Sequence, residues 1–442
     1  MTRGDRVKSG RATITVRAVS RPRRQGHLWV AVAALLVSGV GGAAHVRGPA
    51  VGPRAPAPIV RVLALEAGNF LLDEGSGRIL TVVGQGRRHA LAALDVRAGR
   101  QVRSVPLPPD SFPFLVGIDR PGRQLILIVG NARVELRDLD TLRLRRTVDL
   151  PLGRDAVWLT ALDGFTGYLF VIAYNPKSNL LRTSLLPAPL FVVDTRRGVV
   201  PYTRMLDGTP TEMEVDEHAG RIYLIGQGHG TTLDVLDART GRSLRSFPLG
   251  GQADNPQIGP SLALDRRRER AFVLVDEGPV VTLDDRSGRV LRTTQTGGAV
   301  GPDGIVADEP AGLVFARAEG TGLDDGTINV LDARSGALRR TIGTKLLPFD
   351  GPAVDARTGR AFIFLYRRTE RTNRDQDSVS YGDDMVGVLD QRSGALVRTV
   401  DLGPPRQGGD STASEPQVAV DSALHRVLVL DGPLYLIDAT HL

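Results

Sequence analysis

The sequence predicts an all-β propeller of four-stranded antiparallel blades, eight in number and closed three-plus-one, with seven as the alternative if one unit is irregular. Three observations carry this. First, one sentence recurs along the chain: LDVRAGRQVRSVPL (94–107), RDLDTLRLRRTVDL (137–150), VDTRRGVVPYTRML (193–206), LDARTGRSLRSFPL (236–249), LDDRSGRVLRTTQT (283–296), LDARSGALRRTIGT (331–344) and LDQRSGALVRTVDL (389–402), with IDATHL (437–442) as a truncated eighth copy. Second, its aspartates (Asp95, Asp138, Asp194, Asp237, Asp284, Asp332, Asp390 and Asp438) lie 43, 56, 43, 47, 48, 58 and 48 residues apart. Such periods, with no helical pattern between them, suit one propeller blade each. Third, a companion signal lies about twenty residues upstream of each turn, an apolar run ending in Asp-x-x-x-Gly or a relative.

Within the repeat, two short apolar runs flank Asp-x-x-x-Gly. Alternating, β-branched runs bounded by Asp and Gly read as strands meeting at a tight turn. The Asp side chain accepts backbone N–H groups and Gly takes the φ > 0 position. The aspartates are therefore turn formers rather than a shared catalytic set. The companion turns are LLDEGSG (71–77), ALDGFTG (161–167), EVDEHAG (214–220), VADEPAG (306–312) and AVDARTG (353–359); ALDRRRE (263–269) and AVDSALH (419–425) keep the Asp and lose the Gly. With the more hydrophobic strand that follows each, these supply strands A, B, C and D. The eighth unit stops before its outer strand. IVRVLAL (59–65) matches the outer-strand pattern LVRTVDL (396–402) and is predicted to close the ring, which removes free sheet edges.

Four segments follow. Residues 1–27 form a basic tail with eight basic groups and one acid, whereas 28–442 hold 48 of each sign. The basicity is confined to the tail, which argues against nucleic acid as a partner. Residues 28–46, LWVAVAALLVSGVGGAAHV, are apolar and just long enough to cross a bilayer. Positive charge upstream places the tail in the cytoplasm and the propeller outside. A 27-residue leader favours an uncleaved signal anchor; cleavage near Ala44, giving a secreted or periplasmic protein, is the alternative. Residues 47–58 form a Pro-rich linker and 59–442 the propeller, expected to be a monomeric ring.

PQVAVDSALHRVLVLDGPLYLIDAT (416–440) and the L-D-x-R-[ST]-G copies resemble the YVTN (YncE-like) β-propeller repeat family. The defining tetrapeptide is replaced by VLVL and AFIF, so the subfamily stays open. There is no Gly-His…Trp-Asp pattern, which disfavours the WD40 class. Two tryptophans, Trp29 and Trp158, cannot supply the one-per-blade docking pattern of quinoprotein dehydrogenases.

In such a ring the B–C and D–A loops share one face. The longest insertions, Asn175–Pro187 and Arg367–Asp384, are expected as B–C loops of blades 3 and 7, on opposite sides of the ring. Nearly every D–A loop carries an acid: Glu66, Asp110, Asp155, Asp207, Asp254, Asp303, Asp350 and Asp410. A ring of carboxylates would suit Ca²⁺, which takes about six to eight oxygens, at Asp110, Asp155, Asp207, Asp254, Asp303 and Asp350. The competing explanation is that Asp is a favoured turn residue before Gly or Pro. His229, in GQGHGTT, is the one histidine expected on this face, and with Asp254, Asp303, Asp350 and Asp410 it forms the candidate ligand site. Zero cysteines exclude disulfides, thiolate metal sites and a Cys nucleophile. No zinc-binding, nucleophile-elbow or P-loop motif is present. The leading reading is a membrane-tethered propeller that binds a ligand or an envelope protein. Its alternative is a propeller-type enzyme, a lactonase-like hydrolase or a quinone- or metal-linked oxidoreductase. A third is an assembly scaffold contacting partners through Arg61, Arg103, Arg245, Arg292 and Arg398 of the outer strands, although these suit a solvated face better.

Overall fold

A computed structural model describes residues 59–442 except 64–66, 86–87, 110, 112, 131, 154–155, 175–186, 209, 227–230, 251–260, 276–277, 297–303, 320–325, 345, 374–375, 404–415, 432 and 441. The tail, the 28–46 segment and the linker thus lie outside the described residues. No helix among the described residues is long and apolar enough to cross a membrane.

The chain begins its description with β1 (Ile59–Leu63), which belongs to the last blade. Blade 1 holds β2 (Ala67–Asp73), β3 (Arg78–Gln85), β4 (Arg88–Asp95) and β5 (Arg100–Pro106). Blade 2 holds β6 (Phe114–Asp119), β7 (Gln124–Val129), β8 (Arg133–Asp138) and β9 (Leu144–Asp149). Blade 3 holds β10 (Ala156–Asp163), β11 (Tyr168–Tyr174), β12 (Ala188–Asp194) and β13 (Val199–Leu206). Blade 4 holds β14 (Glu212–Asp216), β15 (Arg221–Gly226), β16 (Thr231–Asp237) and β17 (Ser243–Gly250). Blade 5 holds β18 (Ser261–Asp265), β19 (Arg270–Leu274), β20 (Val280–Asp284) and β21 (Val290–Thr294). Blade 6 holds β22 (Ile305–Asp308), β23 (Leu313–Glu319), β24 (Gly326–Asp332) and β25 (Leu338–Thr344). Blade 7 holds β26 (Leu347–Asp355), β27 (Arg360–Asn373), β28 (Gln376–Asp390) and β29 (Leu396–Gly403). Blade 8 holds β30 (Gln417–Asp421), β31 (Arg426–Leu430) and β32 (Leu434–Asp438).

Every blade is a four-stranded antiparallel meander, and the eighth has the order β1-β32-β31-β30. The register Arg61↔Leu436, Val62↔Tyr435 and Leu63↔Leu434 closes the ring three-plus-one, as the outer-strand pattern predicts. Eight blades are present, not seven. Inner strands of successive blades lie side by side, and β2 meets β30 and β31 to complete the circle.

The core is divided among the blade interfaces. Strands B and C carry apolar residues on both faces, as in the β11 run YLFVIAY, because each sheet is packed on two sides. One apolar cluster fills each interface, for example Leu115, Leu125 and Leu127 of blade 2 against Leu80, Leu91 and Ala93 of blade 1. The closing interface joins Phe70, Leu72 and Ile79 to Leu428, Leu434 and Leu436, with Leu63 of β1 packed against them. Burying apolar side chains in this way is worth about 25 cal/mol per Å².

One expectation is corrected here. Arg367–Asp384 does not form a loop: β27 and β28 continue past the blade as a paired ribbon, from Arg368↔Tyr381 to Asn373↔Gln376. Six residues at strand rise reach about 20 Å. Of the recurring outer-strand arginines, Arg103, Arg245 and Arg292 are exposed, as a solvated face predicts, and Arg292 also reaches the next blade. Arg292 Nε donates to Ser335 O at 3.1 Å. Arg146 and Arg204 likewise cap Arg197 O and Gly241 O. Each of these three reaches from its outer strand to the C–D turn of the next blade and ties the two blades together.

Candidate functional site

The face that carries the predicted ligand site is only partly described. Glu66, Asp110, Asp155, Asp254, Asp303, Asp410 and His229 lie outside the described residues, as do 175–186 of the blade 3 insertion. Asp207 follows β13 in the D–A connection and is exposed, where the sequence places it. Asp350 does not sit in a D–A loop. It lies within β26, whose pairing to β27 shifts register between Phe349 and Ala353. Among the described residues, no three His, Asp or Glu side chains are placed to hold a metal ion.

What this face does present is the β27–β28 ribbon and a shallow cavity of about 360 Å³ at blade 2. Pro108, Pro109, Val129 and Ala132 line the cavity, and Arg133 and Asp149 edge it with an ion pair of 3.1 Å. Ser111 also lines it, with its hydroxyl buried and unpaired.

The opposite face is built from two concentric circles of one turn. The outer circle consists of the C–D turns. Asp237 Oδ1 accepts Thr240 N–H at 2.7 Å and the Thr240 hydroxyl at 2.7 Å, and Asp332 accepts Ser335 N–H at 2.8 Å. Asp138, Asp284 and Asp390 do the same with Thr141, Ser287 and Ser393. The predicted role as turn formers holds. The Thr141 N–H and hydroxyl hold the Asp138 carboxyl well below the usual range. Hydrogen bonds from Thr240, Ser287 and Ser393 lower Asp237, Asp284 and Asp390. For Asp332 burial pushes upward, but bonds from Arg339 and Ser335 outweigh it and bring the group to about 2.

The inner circle consists of the A–B turns at the channel mouth. Its aspartates, Asp73, Asp119, Asp163, Asp216, Asp265, Asp308, Asp355 and Asp421, are all buried. Asp119 accepts Gly122 N–H at 3.0 Å and two bonds of 3.1 Å from Arg196 of blade 3. Asp355 accepts the Ser422 hydroxyl of blade 8 at 2.7 Å. Arg266 bridges Glu214 (3.3 Å) and Glu309 (3.2 Å), tying blades 4, 5 and 6. Not every oxygen is satisfied: Oδ2 of Asp163, Asp308 and Asp421 is buried without a hydrogen bond. Burial raises Asp308 and Glu217, against bonds from Ala311 and Gly164 N–H. Glu74 is raised by burial too; Arg120 opposes this, while Asp421, Asp73 and Asp355 add to it.

Sequence reading missed one A–B turn, Asp119–Arg123, because Arg123 stands where Gly is expected. It adopts φ 49°, as Glu269 (φ 53°) and His425 (φ 52°) do in the two turns that visibly lack Gly. The Asp followed by Pro-Gly was the available signal.

No protein-family profile and no curated protein matches the sequence. Solved structures do match. The computationally designed Ika8 protein aligns with a TM-score of 0.56 at 14% identity, covering 85% of this chain and 96% of that one. BamB from Moraxella catarrhalis aligns with a TM-score of 0.51 at 13% identity, covering 85% of this chain and 99% of that one. At such identities the likeness establishes the fold alone. The chain is an eight-bladed β-propeller, a class that hosts many functions.

Proposed function

We propose that this chain is a membrane-tethered, extracytoplasmic propeller of the YVTN type that binds a ligand or an envelope protein through its B–C/D–A face. The observation that carries the binding reading is the β27–β28 ribbon, which among the described residues only blade 7 builds and which extends beyond its own sheet. An isolated two-stranded hairpin is marginal in water. Its unpaired edges offer backbone donors and acceptors to an added strand. The tether rests on the 28–46 apolar segment and the basic tail before it.

The test replaces residues 368–381 with Asn-Gly in the full chain and compares both forms in their native membrane by cross-linking and native mass spectrometry. Loss of a bound partner mass, with unchanged thermal unfolding, supports the reading. Retention of the same mass in the shortened form overturns it. The same spectra before and after EDTA test calcium at Asp110, Asp155, Asp207, Asp254, Asp303 and Asp350, where a metal mass removed by chelator is the positive result. Protease accessibility of the propeller on intact cells tests its side of the membrane.

A further inference from the structure

One aromatic residue departs from the burial pattern. Phe165 is 69% exposed. The other strongly exposed apolar side chains, such as Val102, Leu144, Leu244 and Val290, lie on outer strands at the circumference, whereas Phe165 sits in an inner turn at the channel mouth. Its backbone is fixed. Asp163 Oδ1 accepts the N–H groups of Phe165 (3.0 Å) and Thr166 (2.9 Å), and Arg196 donates to Phe165 O at 2.8 Å. A large apolar ring left in water gains nothing for the fold.

The charges around it are unevenly matched. Glu217, from the next blade, reaches over the turn and accepts Gly164 N–H at 2.9 Å. Among the described residues it makes no salt bridge. Arg196, which donates to Phe165 O, is ion-paired with Asp119, and Arg266 is paired with Glu214 and Glu309. Asp163, 1% exposed and one residue before Gly164, keeps its Oδ2 buried and unpaired. A buried carboxylate oxygen without a partner costs free energy that a cation or donor would recover. Among the described residues no triad here suits a metal ion. An exposed aromatic face beside carboxylates is the pairing that a guanidinium or ammonium takes, stacking on the ring while donating to the acid.

We propose that the A–B mouth between blades 3 and 4 docks a cationic segment of a partner protein, with an arginine or lysine stacked on Phe165 and paired to Glu217. This site lies on the opposite face from the ribbon and does not depend on it.

The experiment uses the full chain in neutral detergent and a fluorescein-labelled peptide, acetyl-Gly-Arg-Gly-Arg-Gly-Arg-Gly-amide, read by anisotropy. Its all-Glu counterpart is the charge control. Saturable binding of the Arg peptide is expected, weakened at least tenfold by Phe165→Ser and by Glu217→Gln. Phe165→Tyr should keep it, and Asp149→Asn, on the far face, should leave it unchanged. Absence of saturable binding to the native chain overturns the proposal. So does equal weakening by Asp149→Asn and Glu217→Gln, which marks diffuse charge attraction. Phe165 and Glu217 are not core residues, and matched unfolding midpoints of the variants confirm that any loss is local.

Discussion

The inner and outer circles of turns on one face use the same local device, an Asp that caps a tight turn, yet they behave as different chemical groups. Asp138, Asp237, Asp284, Asp332 and Asp390 of the outer circle are half-exposed, and bonds within their turns help hold them low in pKa. Inner aspartates are buried, and three keep an oxygen unpaired. The lesson is that the motif sets the turn while the radius sets the electrostatics. Near the axis the carboxylates are removed from solvent, and beyond their own turns Asp119 and Asp355 draw a further partner from the next blade.

The largest expected effect is at Asp119. Asp119→Ala removes a turn cap and the two-pronged bond to Arg196 of the next blade, and about 3 kcal/mol of stability should go with it in urea unfolding. Asp237→Ala, which loses a cap alone, should cost about 1 kcal/mol. Equal costs would end the distinction between the circles.

Next comes Gly288 in the outer circle. It has φ 69°, and an added Cβ would fall 1.7 Å from the Phe247 ring of the preceding blade. Gly288→Ala should cost about 2 kcal/mol, from left-handed strain and overpacking together. Gly220 in the inner circle has φ 62° and open space around it, so Gly220→Ala should cost about 1 kcal/mol, from strain alone.

Neutralising a carboxylate sharpens the contrast further. Asp332→Asn gives up bonds made to the charged form and should destabilise by about 1 kcal/mol at neutral pH. Asp308→Asn removes a buried charge with an unpaired oxygen and should be neutral or stabilising. Linkage makes the same point without mutation. Outer groups are lowered in the fold, so their contribution is present above the unfolded carboxylate value near about 4 and is lost as pH falls below it. Inner Glu74, Glu217 and Asp308 are raised, so the fold holds their protons more tightly and stability falls as pH rises through their folded values. Urea midpoints from pH 2 to 8 should therefore decline on both sides. The triple variant Glu74→Gln, Glu217→Gln, Asp308→Asn should lose only the decline toward higher pH.

The smallest effect is a gain. Glu269 holds φ 53° where most inner turns have Gly, and Glu269→Gly should stabilise by about 0.5 kcal/mol, strain relief outweighing the added chain entropy. A loss instead would mean that the exposed Glu269–Arg286 pair matters more than backbone strain.

Much of this was legible in the chain. The repeat marks both circles of turns, the spacing sets eight blades, and the match of 59–65 to 396–402 finds the closing strand from opposite chain ends. The parts that were not legible share a cause: they depend on what the neighbouring blade or strand contributes. DEHAG and DARTG do not reveal that their aspartates are buried. Arg292 looks solvent-directed until the next C–D turn is placed beside it. A polar insertion such as 367–384 carries no turn signal near its ends, because its turn is far out at its tip.

The closing strand also has an orientation. Ile59 pairs with Ile437, at the end of β32 that leads into the last C–D turn, and Leu63 with Leu434 at the other end. The chain therefore enters the ring on the A–B/C–D side. If residues 28–46 are the anchor, twelve linker residues span about 40 Å at most. The point of entry and the β27–β28 ribbon therefore lie on opposite faces of the ring. A leash fixed on one face leaves the ribbon, on the other, clear of the chain that leads into the ring.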